Sequence, residues 1–233
     1  AEQTPDPEAR QFLQTVVVIG SGPSGCEMAG AASRMLRWSL KDSYQQLDPT
    51  QTRILLIDPG DKVLRSMPEE LSQEALQALQ KTGVEFLQQS RVESMRPGEV
   101  VVSTPHGQQC IRAATVIWTA GVRASHLGQA LEATTGCSID RGGRVVVEPD
   151  FSIGSHPEIR IAGDLCSYSH TKTGHPLPGM ASPAKQAGSF IGKDIAAVVA
   201  GRPRPTFHYL DLGSMAIVDG SSAVADLRGL KFS

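Results

Sequence analysis

The sequence has few cysteines, no long apolar run and no marked excess of charge of either sign. Its four cysteines lie far apart and form no CxxC pair, so neither a structural zinc site nor a local redox disulfide is indicated, and a reducing compartment fits best. No apolar run approaches the roughly 18 to 20 residues that span a bilayer, and the first residues lack the features of a signal peptide. The formal net charge of -2, with both signs mixed, gives no reason to expect a nucleic-acid partner.

Signatures of metal binding and of nucleophilic catalysis are also missing. The six histidines lack the spacing of a metal site, so no metal is predicted. His170 and His175, in the polar stretch 167–175, are predicted to be solvated. No Ser-His-Asp or Cys-His arrangement can be argued, so no catalytic triad is expected.

The most informative stretch is a β-branched run followed at once by a glycine-rich turn and a helix. Residues 16–19 are three valines and an isoleucine, which predicts a strand buried on both faces. In a dinucleotide-binding loop the first glycine makes the tight turn, the second lets the backbone approach a pyrophosphate, and the third allows close helix–strand contact. The free N–H groups of the helix start then face the anion. The alternative interpretation of this glycine-rich stretch is a plain tight turn between strand and helix. The predicted cofactor-binding loop comprises Gly20, Gly22, Pro23, Ser24 and Gly25.

A carboxylate closes the second predicted strand, which spans residues 53–58. Asp58 would accept hydrogen bonds from the adenosine ribose hydroxyls and repel a 2′-phosphate, so it favours NADH over NADPH. Its separation from Gly25 exceeds the rough 20 residues of the fingerprint, which requires a lengthened first helix and loop over 37–52. Without that insertion Asp58 is only a carboxylate at a strand end.

Periodicity and turn residues divide the rest of the chain. The first helix is predicted from residue 23 to about 40, with Met28, Ala32, Met35 and Leu36 toward the core. A second helix begins at residue 68 and ends at Gly83, and a third runs from 181 or 183 to about 199. The predicted strands span residues 84–87, 91–95, 99–103, 109–112, 114–119, 145–147, 158–164, 207–218 and 223–227, the last two joined by a hairpin at Asp219-Gly220.

Four stretches together resemble the two-dinucleotide-binding-domain flavoproteins and, within them, the type II NADH dehydrogenases (NADH:quinone oxidoreductases). They read VVVIGSGPSGCEMAG at 16–30, VIWTAGVRAS at 116–125, IRIAGD at 159–164 and ASPAKQAG at 181–188. The resemblance runs along essentially the whole chain. It implies an α/β fold: a Rossmann-like NADH-binding domain with a three-stranded β-meander over 12–121, the late part of an FAD-binding domain over 122–200, and the start of a C-terminal β region over 201–233.

The resemblance also implies roles for individual residues. Glu27 is a catalytic candidate near the nicotinamide–flavin contact, where the alternative is a glutamate that stabilises the helix dipole. Gln186 is the second catalytic candidate, at the flavin ring and quinone pocket. Ser182 stands where the family often has glutamine, a departure that bears on quinone binding. The other implied cofactor contacts are Ala120, Gly121, Gly163, Asp164 and Ala184.

The implied activity is hydride transfer from NADH to FAD, followed by electron transfer to a quinone. The implied partners are the quinone and a membrane surface, reached on its cytoplasmic face through a part outside this chain, and the resemblance leaves room for a homo-oligomer. Since only one glycine fingerprint occurs, the chain is expected to be a soluble fragment without the N-terminal FAD half and inactive alone. An FAD-dependent disulfide or ferredoxin-type reductase and a stand-alone NAD(H)-binding module stay open.

Overall fold

The computed structural model describes residues 1–39, 48–169, 174, 176–218, 222–227 and 230–232. The chain forms two compact units, Ala1–Gly121 together with Gly213–Ser233, and Val122–Leu212. Several predicted features lie outside the described residues, namely the hairpin turn at Asp219-Gly220, the histidines His170 and His175, and much of the loop over 37–52.

The first unit is built on a parallel sheet and an antiparallel meander. Its helices are α1 (Pro7–Leu13), α2 (Pro23–Arg34) and α3 (Glu69–Lys81). Its strands are β1 (Thr15–Ile19), β2 (Arg53–Ile57), β3 (Val84–Leu87), β4 (Arg91–Arg96), β5 (Glu99–Thr104), β6 (Gly107–Arg112) and β7 (Thr115–Trp118). The parallel sheet has the order β3-β2-β1-β7, and β4-β5-β6 form the meander. The predicted α/β class, with a Rossmann-like domain and a three-stranded meander, is confirmed.

Successive side chains of β1 enter two different cores, because a strand points neighbouring residues to opposite faces. Val16 and Val18 lie in a core formed with helices α2 and α3, whereas Val17 and Ile19 lie in a core formed with the meander. All four side chains are buried. The unbroken β-branched run therefore reflects a central strand that is covered on both faces.

The face that helix α2 presents to the core overlaps the predicted one only in part. Met28 and Met35 are 41% and 50% exposed, so their predicted place in the core is wrong, while Ala32 and Leu36 do pack against it. The chain also leaves α-helical geometry at a π-helical turn, Met35–Ser39. Small side chains form the buried face because they let the helix approach the sheet closely: Gly25, Cys26, Ala29, Gly30 and Ser33.

The second unit contains only short strands. Its elements are helix α4 (Leu127–Thr135), strands β8 (Val145–Val146), β9 (Ser152–Ile153), β10 (His156–Arg160) and β11 (Cys166–Ser167), and helix α5 (Ala181–Val199). The predicted late helix is confirmed as α5, whereas α4 has no counterpart among the predicted helices. The predicted strand over 158–164 is wrong beyond Arg160, because Gly163 has a φ of +71° and begins a 3₁₀ turn. Among the described residues, no helix combines the length and apolar character needed to cross a membrane.

Four aromatic rings form a compact cluster in this second unit. Phe151 stacks on Tyr168 at a centroid distance of 4.5 Å, and Phe207 meets Phe151 edge-on at 4.8 Å. Phe190 of α5 completes the cluster, 5.3 Å from Phe207. Residues 205–212 are thereby held along α5 by an aromatic anchor.

A network of two aspartates and two arginines lies beside that cluster. Asp194 of α5 is fully buried and accepts hydrogen bonds from Arg204 at 2.7 and 2.6 Å. The same guanidinium donates to Asp150 at 2.6 Å, and Arg160 lies 3.3 Å from Asp150 and 3.4 Å from Asp194. Hydrogen bonds from Arg204 hold the pKa of Asp194 below its usual range. Burial raises the pKa of Asp150, but hydrogen bonds from Ser152 and Arg204 outweigh it and lower that pKa to about 2.

The end of the chain belongs to the first unit again and forms a further antiparallel sheet. Its strands are β12 (Ser214–Ile217), β13 (Ala223–Leu227) and β14 (Leu230–Phe232). Ala216, Val218 and Val224 join the core that α2 and α3 share with the parallel sheet. The region expected over 201–233 is thus divided: residues 201–212 belong to the second unit and residues from 213 to the first. The predicted strand over 207–218 is correspondingly shorter, starting at Ser214.

Candidate functional site

The turn between β1 and α2 brings helix and strand into backbone contact. A Cβ atom at Gly25 would overlap the carbonyl oxygen of Gly20, and one at Gly20 would lie 2.9 Å from Ala120. Gly20 also has a φ of +102°, and its N–H donates to the Ile57 carbonyl at 2.8 Å. The first and third glycines of the fingerprint are therefore required by the packing of the fold itself.

The second glycine is in a different situation. Gly22 is exposed, and a Cβ atom built there would meet no atom within 4 Å. Gly22 is the N-cap residue of α2, and Pro23 takes the first helical position. Among the described residues, no side chain makes a capping hydrogen bond at this end of the helix. Ser24 is exposed as well. The start of α2 thus presents partial positive charge and open space, which suits a phosphate group.

Asp58 directly follows β2 and is engaged with backbone N–H groups. Its Oδ2 accepts from Ser21 N at 2.8 Å and its Oδ1 accepts from Gly60 N at 2.7 Å. Asp58 is only 8% exposed. The predicted carboxylate does stand beside the glycine loop, and the structure adds that it fixes the loop's conformation. Its contact with a ribose stays a prediction.

Cys26 lies in the first turn of α2, beneath the glycine loop. Its buried Sγ donates to the Ser21 carbonyl at 3.4 Å. Burial, with the nearby charge of Asp58, raises the pKa of this thiol to about 12. Burial likewise raises the pKa of Cys166 in the second unit to about 12. Neither thiol has the thiolate character that redox chemistry with disulfides requires.

Glu27 is exposed on the next position of α2. Its Oε1 accepts a hydrogen bond from the backbone N of Ile217 at 3.3 Å. Ile217 belongs to β12, which forms the edge of its sheet. The carboxylate therefore caps an edge N–H that would otherwise face solvent. The predicted role of Glu27 near the nicotinamide is not tested by this contact.

The end of β7 completes the surroundings of the glycine loop. The Thr119 hydroxyl lies 2.8 Å from the Ile19 carbonyl and 3.1 Å from that of Gly20. Trp118 is 55% exposed and its indole N–H donates to the Ala120 carbonyl at 2.6 Å. Gly121 has a φ of +74°. Ala120 is thus brought against Gly20, and the short hydroxyl of Thr119 joins the ends of β7 and β1 there.

The second unit gathers the predicted flavin contacts around one cavity. This cavity has a volume of about 400 Å³, and Gly163, Asp164 and Ala184 all line it. Asp164 is exposed toward solvent. Phe151 and Tyr168 of the aromatic cluster also contribute to the lining. Three predicted residues thus share a site, while their contact with a flavin stays a prediction.

Gln186 lies on α5 beside a second cavity of about 800 Å³, which Ser182 also lines. Its amide makes a two-way contact with one residue: Nε2 donates to the Leu210 carbonyl at 2.8 Å, and Oε1 accepts from Leu210 N at 2.9 Å. Nε2 also lies 3.1 Å from the Ser182 hydroxyl. The side chain therefore holds residues 205–212 against α5, and its predicted role toward a quinone is not tested.

Another cavity, of about 680 Å³, lies in the first unit away from the glycine loop. It is lined by Arg34 at the end of α2, by Trp38 and by residues of α3 and β13. Arg34 is eleven residues beyond Pro23, or about 16 Å along the helix axis. The cavity therefore belongs to the opposite end of α2. Within the described residues no group of three or more His, Cys, Asp or Glu is placed to hold a metal ion.

Comparison with known proteins places this geometry in a family. Residues 1–188 match the pyridine nucleotide-disulphide oxidoreductase family. The chain is 37% identical over 237 residues to the type II NADH:quinone oxidoreductase Ndh of Mycobacterium tuberculosis, covering all of this chain and 50% of that protein. It is 28% identical to the type II NADH:quinone oxidoreductase of Staphylococcus haemolyticus, covering 92% of this chain and 52% of that protein. The chain thus spans about half the length of these relatives.

A solved structure gives the same picture of the fold. NDH2 from Plasmodium falciparum, solved in complex with NADH, superposes with a TM-score of 0.87 at 14% identity, covering 98% of this chain and 61% of that one. The resemblance to type II NADH dehydrogenases, stated from four sequence stretches, is confirmed by these relatives. With a glycine loop between β1 and α2, a Rossmann-type sheet and a match over residues 1–188, the chain belongs to the pyridine nucleotide-disulphide oxidoreductase family.

Proposed function

We propose that this chain provides the NADH-binding unit and part of the flavin site of a type II NADH:quinone oxidoreductase. One observation carries the proposal: the exposed, side-chain-free position at Gly22, on the uncapped start of a helix that follows a buried strand. A pyrophosphate needs this combination of space and N–H groups. The sequence relatives carry the name of that activity.

In the proposed reaction FAD, when bound, would accept a hydride from NADH and pass electrons to a quinone. The chain's own contribution is binding and orientation. The start of α2 would hold the NADH pyrophosphate, and Asp58 would keep the loop in shape through Ser21 N and Gly60 N. In the second unit, Asp164 and Ala184 would line the flavin site in the 400 Å³ cavity.

Glu27 is proposed to act at the hydride-transfer step and Gln186 at the quinone-reduction step. Glu27 would supply a carboxylate near the nicotinamide, one turn beyond the phosphate-binding loop. Gln186 and Ser182 would stand at the quinone, beside the cavity along α5. A position on the cytoplasmic face of a membrane, through a part outside this chain, and self-association belong to the same proposal.

The Gly22→Val substitution tests the nucleotide site. A Cβ atom at this position meets no atom within 4 Å and the residue is exposed, so we expect far-ultraviolet circular dichroism and the unfolding midpoint to change little. It occupies the space assigned to the pyrophosphate, so NADH binding, measured by calorimetric titration of the full chain, should fall by about tenfold or more.

Gly192→Val on α5 is the matched control, because a Cβ atom there also meets nothing within 4 Å. It should leave NADH affinity unchanged. Normal NADH binding by the Gly22→Val variant would mean that the loop is a structural turn and that the proposed function is wrong.

A further inference from the structure

The cavity of about 680 Å³ in the first unit has the size of a small-molecule site, which usually has a volume of roughly 300 to 1,000 Å³. Part of its lining is apolar and rigid: Val218 and Val224 are 0% and 3% exposed and belong to the core that α2 and α3 cover. The cavity lies at the far end of α2 from the glycine loop. The proposed nucleotide site therefore does not account for it.

Two cations stand at one end of this cavity. Arg34 is in the last turn of α2 and Lys81 is in the last turn of α3, and both line the cavity and are exposed. The residues next to them in sequence are in contact, because the Ser33 hydroxyl donates to the Thr82 carbonyl at 2.5 Å. This contact brings the ends of the two helices together. Two positive charges therefore share one end of the cavity.

No carboxylate pairs with either of these cations in the part of the chain that the structure describes. The lining does include a carboxylate, Glu74, but it precedes Lys81 by seven residues on α3, or about 10 Å along the helix axis. Arg34 and Lys81 each complement the negative end of a helix dipole. Both charges stay available to an anion that enters the cavity.

Trp38 adds an aromatic face to the same lining. It belongs to the π-helical turn Met35–Ser39 and is 51% exposed. Turns of this kind are uncommon in helices and recur at functional sites. Trp38 follows Arg34 by about one turn, and both side chains line the cavity. The indole therefore offers a flat apolar surface beside the cationic end.

We propose that this cavity binds a small aromatic carboxylic acid. Its carboxylate lies between Arg34 and Lys81, since a guanidinium binds a carboxylate through two parallel hydrogen bonds. Its ring packs on the indole of Trp38 and on the apolar lining. An aliphatic acid would meet the same charges but would leave the indole without a stacked ring. This site is separate from the proposed nucleotide site and does not depend on it.

The probe for this site is 2-naphthoate, added to the full chain in a calorimetric titration. The neutral analogue 2-naphthylmethanol has the same rings without the charge, and we expect it to bind about tenfold more weakly or worse. Arg34→Ala, Lys81→Ala and Trp38→Ala should each weaken 2-naphthoate binding about fivefold or more. Arg91→Ala is the matched control, because it removes an exposed arginine outside the cavity, on β4, and should leave the affinity unchanged.

Nuclear magnetic resonance locates the bound probe, since the chain has only two tryptophans. Their indole N–H signals are assigned with the Trp38→Phe variant. Addition of 2-naphthoate should shift the signal of Trp38 and leave that of Trp118 in place. Movement of the Trp118 signal alone would place the probe elsewhere and overturn the proposal.

Other outcomes also overturn the proposed acid site. These are no binding of 2-naphthoate by the wild-type chain, equal affinity for 2-naphthylmethanol, and losses in Arg34→Ala and Lys81→Ala no larger than in Arg91→Ala. Hexanoate binding as tightly as 2-naphthoate would show that no aromatic ring is recognised. Circular dichroism checks that each variant is folded. NADH titrations of the same variants should match the wild type, so failure of this site and failure of the nucleotide site are observed separately.

Discussion

The candidate sites of the two units are formed by different kinds of structural elements. In the first, the glycine loop sits at the end of a four-stranded parallel sheet that is covered on one face by helices and on the other by the meander. In the second, the cavity around Asp164 is lined mainly by loops and the start of α5, together with Cys166 of the two-residue strand β11. Backbone packing fixes the first site, whereas two rings of the aromatic cluster, Phe151 and Tyr168, line the second.

The first unit should therefore be most sensitive to added volume at its glycines. Gly25→Ala places a methyl group where the Gly20 carbonyl lies, so we expect a loss of about 3 kcal/mol or more in the free energy of unfolding. Urea unfolding followed by circular dichroism measures it. Gly22→Ala is the control and should cost less than about 1 kcal/mol, the ordinary cost of a cap change. Equal losses in the two variants would contradict the close packing of helix and strand.

The second unit should depend on its buried charges. Asp194→Ala removes the more deeply buried of the two carboxylates that Arg160 and Arg204 share. We expect a loss of about 2 kcal/mol, below the usual value for a buried pair because Arg204 is 44% exposed on its side chain. Thermal unfolding of the variant provides the measurement. The control is Glu158→Ala, which removes an exposed carboxylate that pairs with His156. If both variants lose the same free energy of unfolding, the buried network contributes no more to stability than an exposed ion pair.

The same network predicts a pH dependence. The pKa of Asp150 is lowered from 3.8 to about 2, so the unfolded chain takes up the proton first as pH falls. The stability that this carboxylate contributes, about 1 to 2 kcal/mol, should be present above pH 4 and lost as the pH falls toward 2. Urea titrations between pH 6 and 2.5 should show a shallower acid loss in Asp150→Asn. An unchanged slope would contradict the assignment to Asp150.

The smallest effect is expected at Gln186. Replacing it by alanine removes the two hydrogen bonds with Leu210, and we expect a loss of about 1 kcal/mol together with faster amide exchange at Leu210. Hydrogen exchange followed by mass spectrometry reports on residues 205–212. Ser182→Ala, which leaves both Leu210 bonds in place, should change exchange less. Unaltered exchange in Gln186→Ala would mean that Phe207 alone anchors this segment.

Features that depend on neighbours in sequence were predictable. The β-branched run at 16–19, the turn glycines that follow and the meander strands separated by turn residues all appear in the structure close to their predicted bounds. Helix α5 was likewise evident from its length and period. Helix α4 was missed because it has a weak apolar pattern: Gly128 is its buried residue, lying where a Cβ atom would overlap the Gly143 carbonyl.

Residue type and spacing along the chain thus established the strand–turn–helix unit, the carboxylate after β2 and the family resemblance. The fold decided which face of α2 is buried, because β12 and β13 arrive from the far end of the chain to cover α2 and α3. It also decided that the Asp58 carboxylate accepts hydrogen bonds from Ser21 N and Gly60 N. Periodicity reports only which side of an element is apolar. Asp58 and its partner Ser21 are 37 residues apart in the sequence. Such a pairing is set by how sheets and helices stack, which no local pattern encodes.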